Sequence, residues 1–361
     1  MKAAIIHEPH TPLKIEEVDL DEPKAGEVRV RLVGGGVCHS DYHRIDGHSA
    51  ISTLPYVMGH EGAGIVQETG PGVSTLSAGD HVVFSLTPQC GRCRNCAAGR
   101  PNLCEGFTRG SGLMPDGTSR FSKDGIPYFA GLATFSEETV VLESSLVKVR
   151  DDMPLEKACL IGCGVMTGVG AVLNRAKVET GSAVAIFGCG GVGLNVVQGA
   201  VLASASKIIA VDKVDFKLEK AGELGATHLV NADRDDPVER VLQITDGGAD
   251  YAFEVVGFPQ IVRQAFESVR AGGTAVMVGV PPEGADVSIP ARPLFQDRTL
   301  MGTFYGGGRP RIDFPWLIDL YMDGRLKLDE LITKYRPLDE INEAFEDMNK
   351  GVTARTILTF E

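Results

Sequence analysis

The sequence is poor in aromatic residues and in positive charge. Aromatic side chains make up 6% of its 361 residues, and 35 Lys and Arg stand against 48 Asp and Glu. The formal net charge of −13 lacks the basic excess that favours binding to nucleic acids or to anionic membranes. We therefore expect neither a nucleic-acid partner nor a membrane partner.

Recognisable targeting and membrane-spanning segments are also lacking. MKAAIIHEPHTPLKIEEVDL has no long apolar stretch and no small-residue cleavage site, so no signal peptide is expected. Residues 182–206 are uncharged and long enough to span a bilayer, but five glycines favour a buried strand, turn and helix instead. The eight cysteines are then expected as metal ligands or catalytic groups in a reducing cytoplasm rather than as disulfides.

Two patterns divide the chain, which is too long for one compact core. Up to about residue 150, short segments such as 28–33, 64–66 and His81–Phe84 are punctuated by Gly and Pro, which predicts an antiparallel, barrel-like domain. After a helical stretch at 155–173, strands and helices alternate to 278, which predicts a parallel sheet covered by helices. Helices at 314–323 and 338–350 and a strand at 356–360 are expected to return to the first domain.

The strongest local pattern is a run of cysteines. CGRCRNCAAGRPNLC has the spacing C-x2-C-x2-C-x7-C, so four thiolates on one short loop can bind a single tetrahedral Zn²⁺. An iron–sulfur cluster is the alternative, but its usual runs end in Cys-Pro or use other spacings. Nearby Arg92, Arg94 and Arg100 offset the negative charge of the thiolates. We predict a structural zinc lobe over about 88–106, with four ligands: Cys90, Cys93, Cys96 and Cys104.

Three further candidate ligands are scattered along the chain. Cys38 lies in GGGVCHSDYH, His60 in GHEGAG and Cys163 in LIGCGVMTG. Each alone is weak, because a buried Cys is usually a small hydrophobe. Together they offer two thiolates and an imidazole and leave a fourth position open, as catalytic zinc requires. Asp41 is placed to accept a hydrogen bond from the ring N–H of His60 that does not face the metal, and its alternative role is that of a turn residue. Glu61 is expected either near the metal or in an ion pair with an arginine.

A glycine-rich segment indicates a dinucleotide site. AVAIFGCGGVG places Gly188, Gly190 and Gly193 in a G-x-G-x-x-G pattern after an apolar strand and before a helix, where phosphates bind. The following strand, KIIAVD, ends in Asp212, nineteen residues after Gly193. A carboxylate there binds the ribose hydroxyls and repels a 2′-phosphate, which predicts NAD(H) over NADP(H), although the adjacent Lys213 softens this preference.

Together these motifs resemble the medium-chain zinc alcohol dehydrogenases. The match runs from GVCHSD to ARTILTF, and LMPDGTSRF, TFSEETVV and LIGCGVMTG are similar to the animal-type and glutathione-dependent branches. The resemblance implies an α/β protein with a GroES-like, mainly β catalytic domain over 1–164 and 305–361. It also implies a Rossmann cofactor domain with a doubly wound parallel sheet over 165–304. A homodimer joined through the cofactor domains is implied, with a tetramer as the alternative.

The resemblance also implies a role for each matching residue. Catalytic zinc would be bound by Cys38, His60 and Cys163, which is the Cys₂His set of alcohol dehydrogenases. Ser40 takes the position that receives the alcohol proton, which passes through the cofactor ribose to His43 and then to solvent. The implied NAD(H) contacts are His39, Thr167, Gly188, Gly190, Gly191, Val192, Gly193, Asp212, Lys217, Val278 and Arg355.

The substrate is less specified. Leu86, Phe129 and Ala130 are expected to line an apolar alcohol channel or, equally, to belong to the core, so a hydrophobic primary alcohol or aldehyde is predicted. The alternative is a glutathione- or mycothiol-dependent formaldehyde dehydrogenase. Two residues weaken this thiol-dependent alternative. Ser49 lies where that branch has an acidic residue, and His43 lies where that branch usually has a Tyr. A non-enzymatic protein that binds NAD or zinc is a third hypothesis.

Overall fold

The computed structural model describes residues 1–106 and 111–360. The chain forms two compact units. The first comprises Met1–Cys163, Arg309–Gly324 and Ile332–Glu361, and the second comprises Gly164–Gly308 and Arg325–Leu331. The assignment of a catalytic domain to 1–164 and 305–361 and a cofactor domain to 165–304 stays a prediction.

The strands are short and most of them lie in the first unit. In chain order they are β1 (Lys2–Ile6), β2 (Lys14–Glu17), β3 (Asp19–Leu20), β4 (Glu27–Gly36), β5 (Tyr56–Val57), β6 (Gly62–Thr69), β7 (His81–Phe84), β8 (Phe121–Lys123), β9 (Ile126–Ala130), β10 (Glu138–Leu142), β11 (Leu146–Lys148), β12 (Ala183–Phe187), β13 (Lys207–Asp212), β14 (His228–Asn231), β15 (Ala249–Glu254), β16 (Val269–Met277), β17 (Thr299–Gly302), β18 (Ile332–Pro337) and β19 (Arg355–Thr359).

The helices are concentrated in the second unit and the C-terminal part. In chain order the α-helices are α1 (His39–Ile45), α2 (Arg94–Ala97), α3 (Leu155–Ala158), α4 (Gly164–Gly170), α5 (Gly191–Leu202), α6 (Asp215–Glu223), α7 (Pro237–Thr245), α8 (Pro259–Glu267), α9 (Pro310–Met322) and α10 (Ile341–Asn349).

Two mainly antiparallel sheets build the first unit. One has the strand order β2-β1-β5-β9-β8-β3, and the other has β11-β7-β6-β4-β19-β18, with β10 also paired to β4. The C-terminal strand β19 pairs antiparallel with β4, so the chain returns to the first unit as predicted. Alternating valines and Leu32 along β4 supply a buried face, because successive side chains of a strand point to opposite faces.

A single parallel sheet forms the centre of the second unit. Its order is β14-β13-β12-β15-β16-β17, which is the order 3-2-1-4-5-6 of a doubly wound dinucleotide-binding sheet. The predicted alternation of strands and helices is confirmed from β12 to β16. The edge strand β17 was not predicted, because it has only four residues and its apolar run is limited to Leu300 and Met301.

The long helix predicted for 155–173 is interrupted. Helix α3 is followed by a 3₁₀ turn over Cys159–Gly162, and Cys163 then adopts non-helical dihedrals of φ −141° and ψ −76°. A side chain at Gly162 would meet the Phe84 carbonyl oxygen at 2.5 Å, so this turn packs closely on β7. Close packing of that kind cannot be deduced from helical periodicity.

No single helix in residues 1–106 and 111–360 is long and apolar enough to cross a membrane, and only the consecutive helical segments Leu155–Gly162 and Gly164–Ala176 reach that length together. The uncharged run 182–206 folds instead as β12, a glycine-rich turn and α5, as predicted.

Candidate metal centres and cofactor site

The four cysteines of the predicted zinc lobe come together. Their sulfur atoms all lie within 4.8 Å of one another, and the Sγ atoms of Cys93 and Cys104 are 4.0 Å apart. A tetrahedral site with Zn–S bonds of about 2.3 Å has sulfur atoms about 3.8 Å apart. The donor set therefore fits a closed zinc site.

Backbone N–H groups donate hydrogen bonds to these sulfur atoms. The N–H of Cys93 donates to Cys90 Sγ at 3.3 Å, and the N–H groups of Cys90 and Gly106 donate to Cys104 Sγ at the same distance. Bonds from the N–H groups of Cys96 and Glu105 lower the pKa of the Cys93 thiol to about 6. Cys93 therefore favours the thiolate at neutral pH, which is the form that binds zinc, whereas burial raises the pKa of Cys96 to about 12.

A second cluster lies wholly within the first unit. Cys38 immediately precedes α1, His60 precedes β6, and Cys163 occupies the break after the 3₁₀ turn. With Glu61 they offer four ligand atoms within 4.8 Å of one another, and His60 Nε2 lies 3.3 Å from Cys163 Sγ. In the described part of the chain, this cluster and the cysteine lobe are the two groups able to hold a metal ion.

Asp41 sets the orientation of His60. Its Oδ1 lies 2.9 Å from His60 Nδ1, and the Asp41 side chain is only 3% exposed. Nδ1 therefore donates to the carboxylate, and Nε2 is left facing the two sulfur atoms. Burial disfavours a charged imidazole, but the Asp41 carboxylate outweighs this and raises the pKa of His60 well above its usual value.

The two buried thiols cannot easily ionise together without a cation. The hydrogen bond from Cys163 lowers the pKa of Cys38 well below its usual range, against the effect of burial. The same contact, followed by burial, raises the pKa of Cys163 well above that range. A divalent cation stabilises both thiolates at once, so the chemistry of the donors fits Zn²⁺.

Glu61 pairs with an arginine from the other end of the chain. Its Oε2 accepts from Arg355 Nη2, and both side chains are buried. Burial raises the pKa of Glu61 to about 7, although the Arg355 guanidinium opposes the rise. A Cβ at Gly36 would overlap Glu61 Oε2, so this pair also explains a glycine to which no role was assigned from the sequence.

Helix α1 positions three predicted residues after Cys38. Ser40 and His43 are three residues apart, and His39 and His43 are four apart, so both pairs are neighbours on the helix surface. The ring centroids of His39 and His43 are 6.4 Å apart. The roles predicted for these residues in the relay and in cofactor binding stay predictions.

The glycine-rich turn lies between β12 and α5, as the fingerprint predicts. Gly188 has φ +100°, and a Cβ at Gly193 would overlap the Gly188 carbonyl oxygen. At Gly190 a Cβ would have no protein atom within 4 Å among the described residues. The protein therefore leaves an open space over the N-terminus of α5, and a pyrophosphate fits it.

Asp212 ends β13 beside this turn. Its Oδ2 accepts from the Cys189 N–H at 2.8 Å, and its Oδ1 accepts from the Val214 N–H at 3.0 Å. Each carboxylate oxygen keeps a further lone pair for a ribose hydroxyl. The carboxylate is thus held in place by the loop that carries the glycines.

Other predicted residues are more dispersed. Thr167 lies on α4 and Lys217 on α6, both half-buried, and Val278 directly follows β16. Phe129 packs against one hydrophobic cluster of the first unit, whereas its neighbour Ala130 packs against another. Their side chains point to opposite faces of β9, so the predicted channel formed by Leu86, Phe129 and Ala130 receives no support from this geometry.

Two family models match this chain, and relatives of known name match it over its full length. Residues 24–151 match the alcohol dehydrogenase GroES-like domain, and residues 191–323 match the zinc-binding dehydrogenase family. The chain is 44% identical to S-(hydroxymethyl)glutathione dehydrogenase of Paracoccus denitrificans, with 99% of both chains covered. It is 43% identical to an alcohol dehydrogenase class-3 of Cereibacter sphaeroides, again over 99% of each.

This chain belongs to the zinc-dependent alcohol dehydrogenase family. It is an NAD-dependent oxidoreductase that uses zinc. The resemblance, fold class, enzyme class and cofactors predicted from the sequence are thereby confirmed.

Solved structures of this alcohol dehydrogenase family share the whole fold. A zinc-binding domain protein from Burkholderia ambifaria superposes with a TM-score of 0.96 at 37% identity, covering 100% of this chain and 98% of that one. Benzyl alcohol dehydrogenase from Acinetobacter calcoaceticus superposes with a TM-score of 0.94 at 35% identity, covering 100% and 99%.

Proposed function

We propose that this alcohol dehydrogenase interconverts apolar primary alcohols and aldehydes with NAD⁺ and NADH. The observation that carries the proposal is the largely buried set of Cys38, His60 and Cys163, which offers the two thiolates and one imidazole of a Cys₂His catalytic zinc site. The similarity to a benzyl alcohol dehydrogenase over the full length supports an aromatic alcohol as substrate.

The proposed chemistry divides between the metal and the chain. Bound zinc supplies a Lewis acid that polarises the alcohol oxygen and favours loss of its proton. Ser40 accepts that proton at its hydroxyl, and His43, on the same face of α1, holds it for release. Asp41 keeps His60 Nε2 directed at the metal, and Glu61 balances the buried charge of Arg355.

NAD(H) is proposed to contact the residues that the family resemblance assigns to it. Gly188, Gly190, Gly191, Val192 and Gly193 form the pyrophosphate turn. Asp212 and Lys217 contact the adenosine ribose, and Thr167 and Val278 contact the nicotinamide side. His39 and Arg355 are proposed to reach the pyrophosphate. The carboxylate of Asp212 supports selection against a 2′-phosphate.

The second candidate is oxidation of a thiol–formaldehyde adduct. The 44% identity to S-(hydroxymethyl)glutathione dehydrogenase favours it. Ser49 argues against it, because this position was predicted to need an acidic side chain for the glutathione amine. A neutral hydroxyl pairs with an ammonium less strongly than a carboxylate does.

One substrate panel separates the two candidates. Zinc-loaded enzyme would be assayed for NADH formation with benzyl alcohol, hexanol and ethanol, and with formaldehyde in the presence and absence of glutathione or mycothiol. The proposal expects the highest kcat/KM with the apolar alcohols and no thiol requirement. Activity that appears only with formaldehyde and a thiol would establish the second candidate. If no substrate gives NADH, the hypothesis of a non-enzymatic protein that binds NAD or zinc would remain.

A homodimer in the cytoplasm is also proposed. Strand β17 is an edge of the parallel sheet, and the preceding 3₁₀ turn exposes Leu294 by 46% and Phe295 by 93%. An unpaired strand edge beside exposed apolar side chains favours pairing with the same edge of a second copy. All eight cysteines are free thiols, which supports a reducing compartment, and a tetramer is the alternative assembly.

A further inference from the structure

A second histidine, His48, lies between His43 and the surface of the protein. The ring centroid of His43 lies 5.4 Å from that of His48, and the two planes are inclined by 31°. His43 is half-buried at the end of α1, whereas the side chain of His48 is 48% exposed in the following loop. Two imidazoles at this separation can exchange a proton directly or through one water molecule.

Asp46 fixes the position of His48. A single carboxylate oxygen, Oδ1, lies 2.9 Å from His48 Nδ1 and accepts from the His48 backbone N–H at 3.0 Å. With Nδ1–H donating to the carboxylate, the neutral ring keeps Nε2 as its proton acceptor.

Backbone hydrogen bonds also hold the loop that carries His48. The Asp46 N–H donates to Tyr42 O and so ends α1, Gly47 turns the chain with φ +79°, and the Ser49 N–H donates to His43 O at 2.7 Å. The hydrogen bond to His43 O ties the loop of His48 directly to the residue whose ring it faces.

We propose that His48, positioned by Asp46, is the group that carries the proton from His43 to solvent. The inference rests on the proposed function, in which His43 receives the proton of the alcohol. Protonated His43 gives one proton to neutral His48 and becomes neutral again. His48 then gives that proton to bulk water or a buffer base, so each oxidation of an alcohol releases one proton and leaves both rings as they began.

The surrounding charged groups do not compete for this role. Asp41 is bound to His60, and the Arg44 guanidinium lies 5.1 Å from the ring centroid of Tyr56. From the preceding loop, His10 faces Gly47, where a Cβ would lie 3.0 Å from its ring. His39 contacts His43 on the side of the helix N-terminus. Asp46 is therefore the carboxylate that holds the His48 ring.

His48→Gln tests the proposal, because glutamine keeps hydrogen bonding but cannot carry a proton. Alcohol oxidation would be measured at neutral pH in dilute buffer and with increasing imidazole. We expect kcat in dilute buffer to fall about fivefold, less than the roughly hundredfold contributed by a group that touches substrate, with KM unchanged. Imidazole should restore kcat, and the solvent isotope effect should be larger in the variant.

Two further variants complete the design. His10→Gln makes the same change in the adjoining loop and should keep the kcat and buffer response of the wild type. Asp46→Asn weakens the orientation of His48 and should give a smaller loss that imidazole also restores. A His48→Gln enzyme with full kcat in dilute buffer, or with a loss that imidazole does not restore, would overturn the relay. A wild-type enzyme that oxidises no alcohol would instead overturn the proposed function together with it.

Discussion

At the scale of single residues, two glycines of one turn lack a side chain for different reasons. Gly193 has no room for a Cβ, because the Gly188 carbonyl oxygen occupies that space. Gly190 has an open space instead, with no protein atom of the described residues within 4 Å of a Cβ. The first glycine is therefore required by the fold and the second by the ligand, although both belong to the same sequence motif.

Alanine substitution should separate these two roles. Gly193→Ala should lower the free energy of unfolding by about 1–3 kcal/mol, the usual cost of overpacking, as measured by urea denaturation. Gly190→Ala should leave unfolding almost unchanged but weaken NAD⁺ binding by about 10- to 100-fold, because one charge-assisted phosphate contact contributes about 1.5–3 kcal/mol. Equal effects of both changes on stability would contradict this division.

At the scale of structural elements, the chain builds its two metal clusters differently. The four-cysteine lobe lies on one loop with α2, whereas Cys38, His60 and Cys163 are brought together by α1, β6 and the turn after α3. Loss of zinc from the four-cysteine lobe is therefore expected to leave the sheets of the first unit folded. The buried cluster is expected to serve the reaction, and the lobe to serve stability.

Two serine variants should distinguish the clusters. Cys104→Ser and Cys163→Ser should each reduce the metal content from two zinc ions to one per chain, as measured by elemental analysis. Cys163→Ser should lower kcat to about 1% of the wild type or less, because zinc contributes several kcal/mol and each 1.36 kcal/mol is a factor of ten. Cys104→Ser should mainly lower the Tm. Full activity of Cys163→Ser would contradict the catalytic assignment.

Ion pairs between strands make the first unit sensitive to pH. Glu16 on β2 lies 2.6 Å from His7 Nε2, accepts from Lys123 Nζ on β8 at 2.6 Å and from the Tyr128 hydroxyl on β9 at 3.2 Å. Burial raises the pKa of Glu16, but the bonds from Lys123 and His7 outweigh it, so the pKa lies below its usual value. The folded state therefore favours the ionised carboxylate.

The contribution of Glu16 should disappear in acid. Because its pKa is lowered by folding, its stabilisation is complete above the unfolded value of about 4.3 and is lost as the pH falls through the folded value. Glu16→Gln should be less stable than the wild type by about 1 kcal/mol at neutral pH, and this difference should shrink toward zero at acidic pH. Urea titrations of both proteins after removal of zinc would measure it. Glu17→Gln, on the same strand, is the control for an exposed ion pair, because the Glu17 carboxylate is 75% exposed and lies 3.1 Å from the N-terminal ammonium, so a smaller effect is expected.

At the scale of the whole molecule, the surface of the parallel sheet bears on assembly. Its two edges are β14 and β17, and Phe295 beside β17 is 93% exposed, more than any other large apolar residue of the described chain. A net charge of −13 opposes unspecific association, so a defined apolar edge is the expected means of self-association.

An acidic residue at this edge should dissociate the proposed dimer. Phe295→Asp should shift the mass measured by light scattering from that of two chains toward that of one, because it places charge in an apolar interface. Leu229→Asp makes the same kind of change on the opposite edge strand, where Leu229 is 47% exposed, and should leave the mass unchanged. Dissociation by Leu229→Asp and not by Phe295→Asp would place the interface at β14.

The sequence by itself determined the features that depend on short-range geometry. The spacing of Cys90 to Cys104 places four sulfur atoms on one loop, and the apolar strand before Gly188 identifies the dinucleotide turn. Periodicity was sufficient for β12 to β16, because buried parallel strands are continuous apolar runs. The same signal failed for β17, which has four residues and only two adjacent apolar side chains.

Only the tertiary structure decided which distant residues meet and how the loop after α1 folds back on it. Cys163 lies 103 residues from His60, and Arg355 lies 294 residues from Glu61, so neither contact follows from spacing. Family resemblance nominated the three zinc ligands, but the pairing of Glu61 with Arg355 and the approach of His48 to His43 depend on how the strands and α1 pack. Long-range contacts arise from burial and close packing of the whole chain, and short sequence patterns do not record them.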